Sequence, residues 1–382
     1  MSSLYFDNNA TTPLHTEVYG VMLDYLKTQF GNPSSNHSFG RKAHEVVEES
    51  RDLVARSIGA LPQEIFFTSS GTESNNWFVS GISSVYPDAD FYYGATEHPC
   101  ILKPMQKLKN NAMQVKKIPC LQNGDIDFTY LESINTNQIN IISLMHVNNE
   151  TGTITDLKKL RQLVGDKAII HSDAVQALGK INVNFHDLGI DFMTISSHKI
   201  NGPQGIAALI IKNGIDIDPF ILGGGQESGM RSGTENIAAI AGFAKACELI
   251  NEKLQDSSRQ GALRDLFEEK ISELGAVIFA QEVPRVKNTS FFGFPSIDGA
   301  TLITALDKYG IGIDSGSACS SNNPVTPPHL LAMTAPGTGR GRSALVPAEA
   351  PDAGLARLLF EIAQVRAHLP LGDALVVFTA AA

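Results

Sequence analysis

Cysteine is scarce in this 382-residue chain: Cys100, Cys120, Cys247 and Cys319 are scattered, with no Cys-x-x-Cys pair. That spacing excludes a zinc ribbon and a disulfide framework, so each thiol is judged singly and no metal is expected. No apolar run reaches membrane-spanning length, and Met1-Ser-Ser-Leu-Tyr-Phe-Asp lacks the basic and apolar regions of a secretory leader. The expectation is a cytoplasmic protein. Excess basic charge is missing as well. A formal net charge of −10 argues against nucleic acid or an anionic membrane as the main partner. The polar, glycine-rich loop from Gly225 to Thr234, with Arg231, lacks Walker spacing, which excludes a nucleotide P-loop there. There is no internal repeat and no linker rich in proline or glycine. Lysine is absent beyond Lys308 and asparagine beyond Asn323, and alanine, proline and arginine take over. That composition fits a different mutational history or a shifted reading frame. Leu355, Leu358, Leu359, Ile362, Val365 and Leu369 still mark a helical apolar face.

What is present is ordinary globular material, 43% hydrophobic and 18% charged, in a chain long enough for two or three domains. Apolar runs at 64–68, 140–145, 168–170, 192–195 and 206–211 read as strands. They alternate with helix-like segments such as 42–58 and 234–250. The pattern predicts an α/β fold with a large, mostly parallel sheet covered on both faces. A charged helix from about 252 to 274 leads into strand-like runs at 286–294 and 310–313, a smaller α+β unit. The expected division is a large cofactor-binding domain over 15–255 and a small domain from 1–14 and 256–382.

The chemistry gathers at strand ends, where open α/β sheets place their ligands. One apolar run ends in His171-Ser-Asp173-Ala-Val-Gln176, the next in Ser196-Ser-His198-Lys199. Singly, these read as a capping acid and a surface lysine. Together they suit a pyridine-aldehyde cofactor, whose aldehyde takes the lysine amine and whose ring nitrogen is kept protonated by the acid. Ser70-Gly71-Thr72, alone an N-cap, opens a helix whose positive end suits an anion, and Ser196 with His198 completes a phosphate cup. His98, in Thr96-Glu-His-Pro, stands at another strand end, placed to lie on the ring and move protons near neutral pH. His146-Val-Asn-Asn149 offers amides to the cofactor's phenolic oxygen or to substrate. Asp314-Ser-Gly-Ser-Ala-Cys319 is a small, polar loop that exposes its thiol, which can then enter a site and leave carrying a product. Cys100 begins an apolar helical run and reads as packing.

Tyr5-Phe-Asp-Asn-Asn-Ala10-Thr-Thr-Pro, Phe30-Gly-Asn-Pro-Ser-Ser, Phe67-Thr-Ser-Ser-Gly-Thr-Glu-Ser, Thr96-Glu-His-Pro, His146-Val-Asn-Asn-Glu-Thr-Gly, Ser196-Ser-His-Lys, Met230-Arg-Ser-Gly-Thr-Glu-Asn and Ser315-Gly-Ser-Ala-Cys follow one another in that order. From about Tyr5 to Met333 the chain resembles the cysteine desulfurases of nitrogenase maturation and iron–sulfur cluster assembly. These are class V aminotransferases of the aspartate-aminotransferase-like fold type I, with a seven-stranded sheet in the large domain. The resemblance implies a pyridoxal 5′-phosphate enzyme converting L-cysteine to L-alanine and passing sulfur to an iron–sulfur scaffold or other thiol acceptor protein. It implies that Lys199 forms the Schiff base and removes the α-proton, and that Asp173 pairs with the pyridinium. Gln176 would bond the phenolic oxygen, and His98 would stack on the ring and help deprotonate the substrate thiol. Gly71, Thr72, Ser196 and His198 would hold the phosphate, with Thr234 reaching it from the other subunit of a homodimer. Asn149 would touch cofactor and substrate, and Cys319, in a long mobile loop at about 314–328, would accept the sulfur. For the substrate carboxylate, Gly339-Arg340-Gly341-Arg342-Ser-Ala-Leu345 offers Arg342, with Arg340 as the rival register. The rival activities are a selenocysteine lyase, an aminotransferase-like enzyme and an inactive partner subunit.

Overall fold

Among the described residues, short apolar segments pair into three sheets. In chain order the strands are β1 (Leu4–Tyr5), β2 (Ile65–Thr68), β3 (Asp90–Gly94), β4 (Val115–Ile118), β5 (Asn140–Ser143), β6 (Ile169–Asp173), β7 (Phe192–Ser196), β8 (Ala207–Ile211), β9 (Val277–Ile278), β10 (Thr289–Gly293), β11 (Ile311–Gly312) and β12 (Val377–Ala380). The computed structural model describes residues 4–28, 30–294, 297, 299–314 and 377–380, so the assignments to Cys319, Arg340 and Arg342 lie outside the described residues.

The seven-stranded sheet has the order β2-β8-β7-β6-β5-β3-β4. Neighbours from β7 across to β4 run parallel. Strand β8 runs antiparallel to both β7 and β2, a direction its apolar run does not reveal. The cause is the short connection from Ser197 to Ile206, since a parallel crossover needs about a dozen residues or more, usually with a helix.

Every position of β6, β7 and β8 is buried, as their unbroken apolar runs require of strands covered on both faces. Alternate residues serve the two faces. Ile169, Phe192 and Leu209 join Trp77, Phe78 and Ile82 of the helix Gly71–Val85 on one side. On the other, Ile170, Met193 and Ile210 meet Val47 and Val54 of the helix Ser38–Ser57 and Phe243 of the helix Ile237–Glu248. Phe78, Phe91 and Phe192 are fully buried, and truncating any of them to alanine costs about 3–5 kcal/mol.

A second apolar cluster joins Phe6 to Leu263, Phe267, Ile271, Phe292, Leu302, Leu306, Ile311 and Ile313. Around it β10 lies between β9 and β12, and β1 pairs in parallel with β11. Helix boundaries differ from the sequence pattern where caps intervene. The helix placed at 42–58 begins at Ser38, because the His37 ring accepts from the Gly40 amide at 3.2 Å. The helix placed at 234–250 begins at Ile237, where Asn236 accepts from the Ala239 amide. The long charged helix is two, Ile250–Gln255 and Ser257–Glu273, meeting at Asp256.

Candidate active site

The carboxyl ends of β6 and β7 lie side by side, with Asp173 opposite Thr194. Asp173 closes β6 and is buried. Its carboxylate accepts from Asn75 Nδ2 at 2.7 Å and from the Val175 amide at 3.0 Å. Ser196 closes β7, also buried, and the turn Ser197–Lys199 follows at once. Lys199 Nζ donates to the backbone carbonyls of Ala10, at 2.7 Å, and Asn9.

The helix Gly71–Val85 starts against the same strand ends. A side chain at Gly71 would press on Val175 at 3.1 Å, with Thr194 and Ser196 within 4 Å. Glycine therefore lets the helix start close to β6 and β7, bringing up first-turn amides that no preceding carbonyl can satisfy. Ser70 caps this helix by accepting from the Glu73 amide at 3.1 Å. Glu73 in turn pairs with Arg231 at 2.7 Å, tying down the loop that carries Thr234. Thr72 and Thr234 are exposed in the single chain.

His98 caps the helix Pro99–Asn110, whose first position is proline. Burial holds its imidazole below the usual pKa; the Lys199 charge pushes the same way and Asp173 opposes it. Asp173, His98 and Lys199 therefore share one electrostatic neighbourhood. His198 Nδ1 lies 3.1 Å from Thr11 Oγ1, and burial, aided by Lys199, pushes its pKa down to about 4. Gln176 is buried, donating through Nε2 to the Asn9 carbonyl at 2.9 Å and accepting at Oε1 from Lys180. The Asn149 carbonyl accepts from Asn9 Nδ2 at 2.9 Å.

Three contributors carry no role in the sequence reading. Asn9 is the hub: its carbonyl serves Gln176 and Lys199, and its side chain bonds Lys180, Asn149 and Thr289. Lys180 sits with Lys199 and Lys253 nearby, and burial foremost holds its ammonium well below the usual pKa. Asn75 spans Asp173 and Cys100. Their partners are far away in the chain, so no local pattern marks them. Cys100, read as packing, is buried but faces His98 Nδ1 at 2.8 Å. No group of metal-ligating side chains and no membrane-spanning helix occurs among the described residues.

This donor set fits pyridoxal 5′-phosphate. The bonds to the Asp173 carboxylate come from neutral amides, which leaves its charge to match a protonated ring nitrogen. The Lys199 amine and the Asp173 carboxylate both act on the His98 imidazole, and a helix starts against Val175, Thr194 and Ser196. A mostly parallel sheet carrying Asp173 and Lys199 at the ends of adjoining strands defines a protein of fold type I.

The chain matches the aminotransferase class-V pattern over residues 4–336. It is 39% identical over 336 residues to a cysteine desulfurase IscS of Dictyoglomus turgidum, covering 86% of this chain and 84% of that one. It is 38% identical over 344 residues to cysteine desulfurase 2 of Trichormus variabilis, covering 88% and 86%. Among solved structures, a NifS-like protein superposes with a TM-score of 0.83 at 31% identity, over 96% of this chain and the whole of that one. The NifS-like protein from Rickettsia africae gives 0.79 at 31% identity, over 96% and 99%. The chain belongs to the aminotransferase class-V family.

Proposed function

We propose that this chain is a pyridoxal-phosphate-dependent cysteine desulfurase that converts L-cysteine to L-alanine and takes the sulfur as a persulfide on Cys319. The observation that carries the reading is that Asp173 and Lys199 stand at the ends of adjoining strands with His98 within electrostatic reach of both, in a chain whose relatives bear that name. When bound, the cofactor supplies an electrophilic carbon for the substrate amine and a ring that accepts electrons.

The protein's own groups do the rest. Asp173, held by Asn75 and the Val175 amide, keeps a fixed negative charge where a ring nitrogen needs one. Lys199 Nζ would hold the cofactor's aldehyde carbon and would serve as the base at the substrate α-carbon. Gly71, Thr72, Ser196 and His198 hold the phosphate. Gln176 and Asn149 fix the ring oxygen and substrate, with Arg342 on the substrate carboxylate. The Cys319 thiolate attacks the substrate sulfur, so that an S–S bond forms as the C–S bond breaks and the carbon takes a proton. The persulfide then passes to an iron–sulfur scaffold or another thiol acceptor.

We read the working unit as a cytoplasmic homodimer in which Thr234 completes the partner's phosphate site. Phe30 and Leu222, each 80% exposed in the single chain, support a covered face. The separate apolar cluster built on Phe6 and residues 263–313 supports a division into domains of 15–255 and of 1–14 with 256–382. Purified protein given L-cysteine and a reductant should release alanine and sulfide in equal amounts. Keto-acid formation instead would make it an aminotransferase.

A further inference from the structure

Four side chains beside the cofactor site form one hydrogen-bonded chain. The Asn75 amide nitrogen has two protons, and its two bonds go to Asp173 Oδ2 at 2.7 Å and to Cys100 Sγ at 2.9 Å. The reverse amide orientation would set Asn75 Oδ1 against the Asp173 carboxylate, so the donor assignment follows from charge. The Cys100 sulfur, already accepting from Asn75, lies 2.8 Å from His98 Nδ1. The Cys100 amide points at that same nitrogen from 3.2 Å. A backbone N–H can only donate, so Nδ1 must accept. Burial, first of all, pushes the Cys100 thiol far above its usual pKa, which keeps S–H as a second donor to the ring.

We propose that Asn75 and Cys100 are positioning residues: they tie Asp173 to His98 and hold the imidazole neutral, with its proton on Nε2. The proposal rests on the reading of Asp173 and His98 as site residues and adds what fixes them relative to each other. It also sets the direction of proton movement. With Nδ1 accepting hydrogen bonds, a resting His98 presents its N–H at Nε2, and taking up a second proton means giving up the bonds at Nδ1. The groups that face His98 are Asp173 from β6, Lys199 from the turn after β7, and Cys100 on its own helix, itself next to Glu97.

The test is 15N NMR of histidine-labelled full-length protein, with His98→Asn identifying the His98 resonances. Wild type at neutral pH should show an unprotonated Nδ1 and a protonated Nε2. Removing the S–H takes a bond from the neutral imidazole, so Cys100→Ala should raise the His98 titration midpoint by about half a pH unit or more. Cys100→Ser, which keeps a donor, should restore the wild-type midpoint. Asn75→Ala should raise it as well, and the Asn75→Ala/Cys100→Ala double variant should add nothing further, because the relay is already broken. A wild-type His98 protonated at Nδ1, a Cys100→Ala midpoint equal to wild type, or additive shifts would overturn the proposal. These signals need no turnover. An inactive protein with the relay intact would therefore count against the desulfurase reading alone.

Discussion

Replacing Arg51 by methionine should be among the most damaging single changes outside the catalytic groups. Arg51 donates to both carboxylate oxygens of Glu227 at 2.8 Å, and its Nη1 also reaches the Ile65 carbonyl at 2.8 Å. Glu227 Oε2 further accepts from the Phe67 amide of β2 at 2.8 Å. The two side chains are 11% and 2% exposed, so neither charge is left to water. Removing one partner of such a pair strands the other, at a cost of about 3–5 kcal/mol. The more exposed contact of Arg51 with Glu48 adds little. Glu227→Leu should cost a similar amount, since it strands Arg51 and the Phe67 amide together. The Arg51→Met/Glu227→Leu protein buries no unpaired charge from this pair; its remaining loss is that of the Phe67 amide and of the Ile65 carbonyl bond, about 1–3 kcal/mol for each group left unsatisfied. Urea unfolding at fixed protein and cofactor concentration measures all three. Because Glu227 lies in the loop with Arg231 and Thr234, the single variants should also weaken cofactor retention. A loss below about 1 kcal/mol for Arg51→Met, or a double variant equal to the sum of the singles, would refute the reasoning.

Lys199→Ala should abolish the visible absorbance of lysine-bound cofactor and all turnover; a persisting band reducible by borohydride would move the attachment elsewhere. Cys319→Ser should keep that absorbance but release almost no sulfide, and mass spectrometry of wild type after L-cysteine should find added sulfur on the Cys319 peptide, not on Cys100. Arg342→Ala should raise the KM for L-cysteine at least about tenfold, the worth of one charge-assisted bidentate bond, while Arg340→Ala stays mild. If Arg340→Ala is the damaging change, the register is off by two residues. Burial holds the pKa of His146 at about 4 and of His171 at about 3, so below about pH 6.5 the unfolded chain binds protons that the native one refuses. Stability should therefore fall as pH drops from 6.5 toward 4, by about 1.4 kcal/mol per pH unit for each imidazole. His171→Gln should lessen that slope in urea titrations, and an unchanged slope would show that His171 does not supply it.

The strand ends were legible because an apolar run buried on both faces stops abruptly when its chain turns into the site, as at Asp173 and Ser196. The direction of β8 was not, because Ala207–Ile211 is equally apolar either way and only the length of the preceding connection decides. Cys100 is buried, as the apolar face of its own helix suggests, but the hydrogen bonds of its sulfur are not legible there. Its sulfur is claimed by Asn75, one turn into a helix twenty-five residues earlier. Asn9 and Lys180 are separated by 171 residues and meet only through the fold. Local pattern reports what a residue's own element buries, and it is silent on which distant element supplies the partner.

The N-terminal segment shows what that silence conceals. Leu4 and Tyr5 pair with Ile311 and Gly312, and the Phe6 amide donates to the Gly312 carbonyl at 2.8 Å. Three residues on, Asn9 and Ala10 hold the amine of Lys199, and Thr12 bonds the His198 carbonyl through both its amide and its hydroxyl. One short stretch thus fastens the strand that ends just before Asp314, the start of the segment leading to Cys319, to the turn that presents Lys199. The Asn9 side chain is fully engaged, accepting at Oδ1 from Lys180 and donating from Nδ2 to the Asn149 carbonyl and Thr289 Oγ1. An alanine at position 9 would leave the Lys180 amine, the Asn149 carbonyl and the Thr289 hydroxyl without these partners while keeping the backbone bonds to Lys199. The amine of Lys199 and the strand that leads to Asp314 are therefore held by the same few residues.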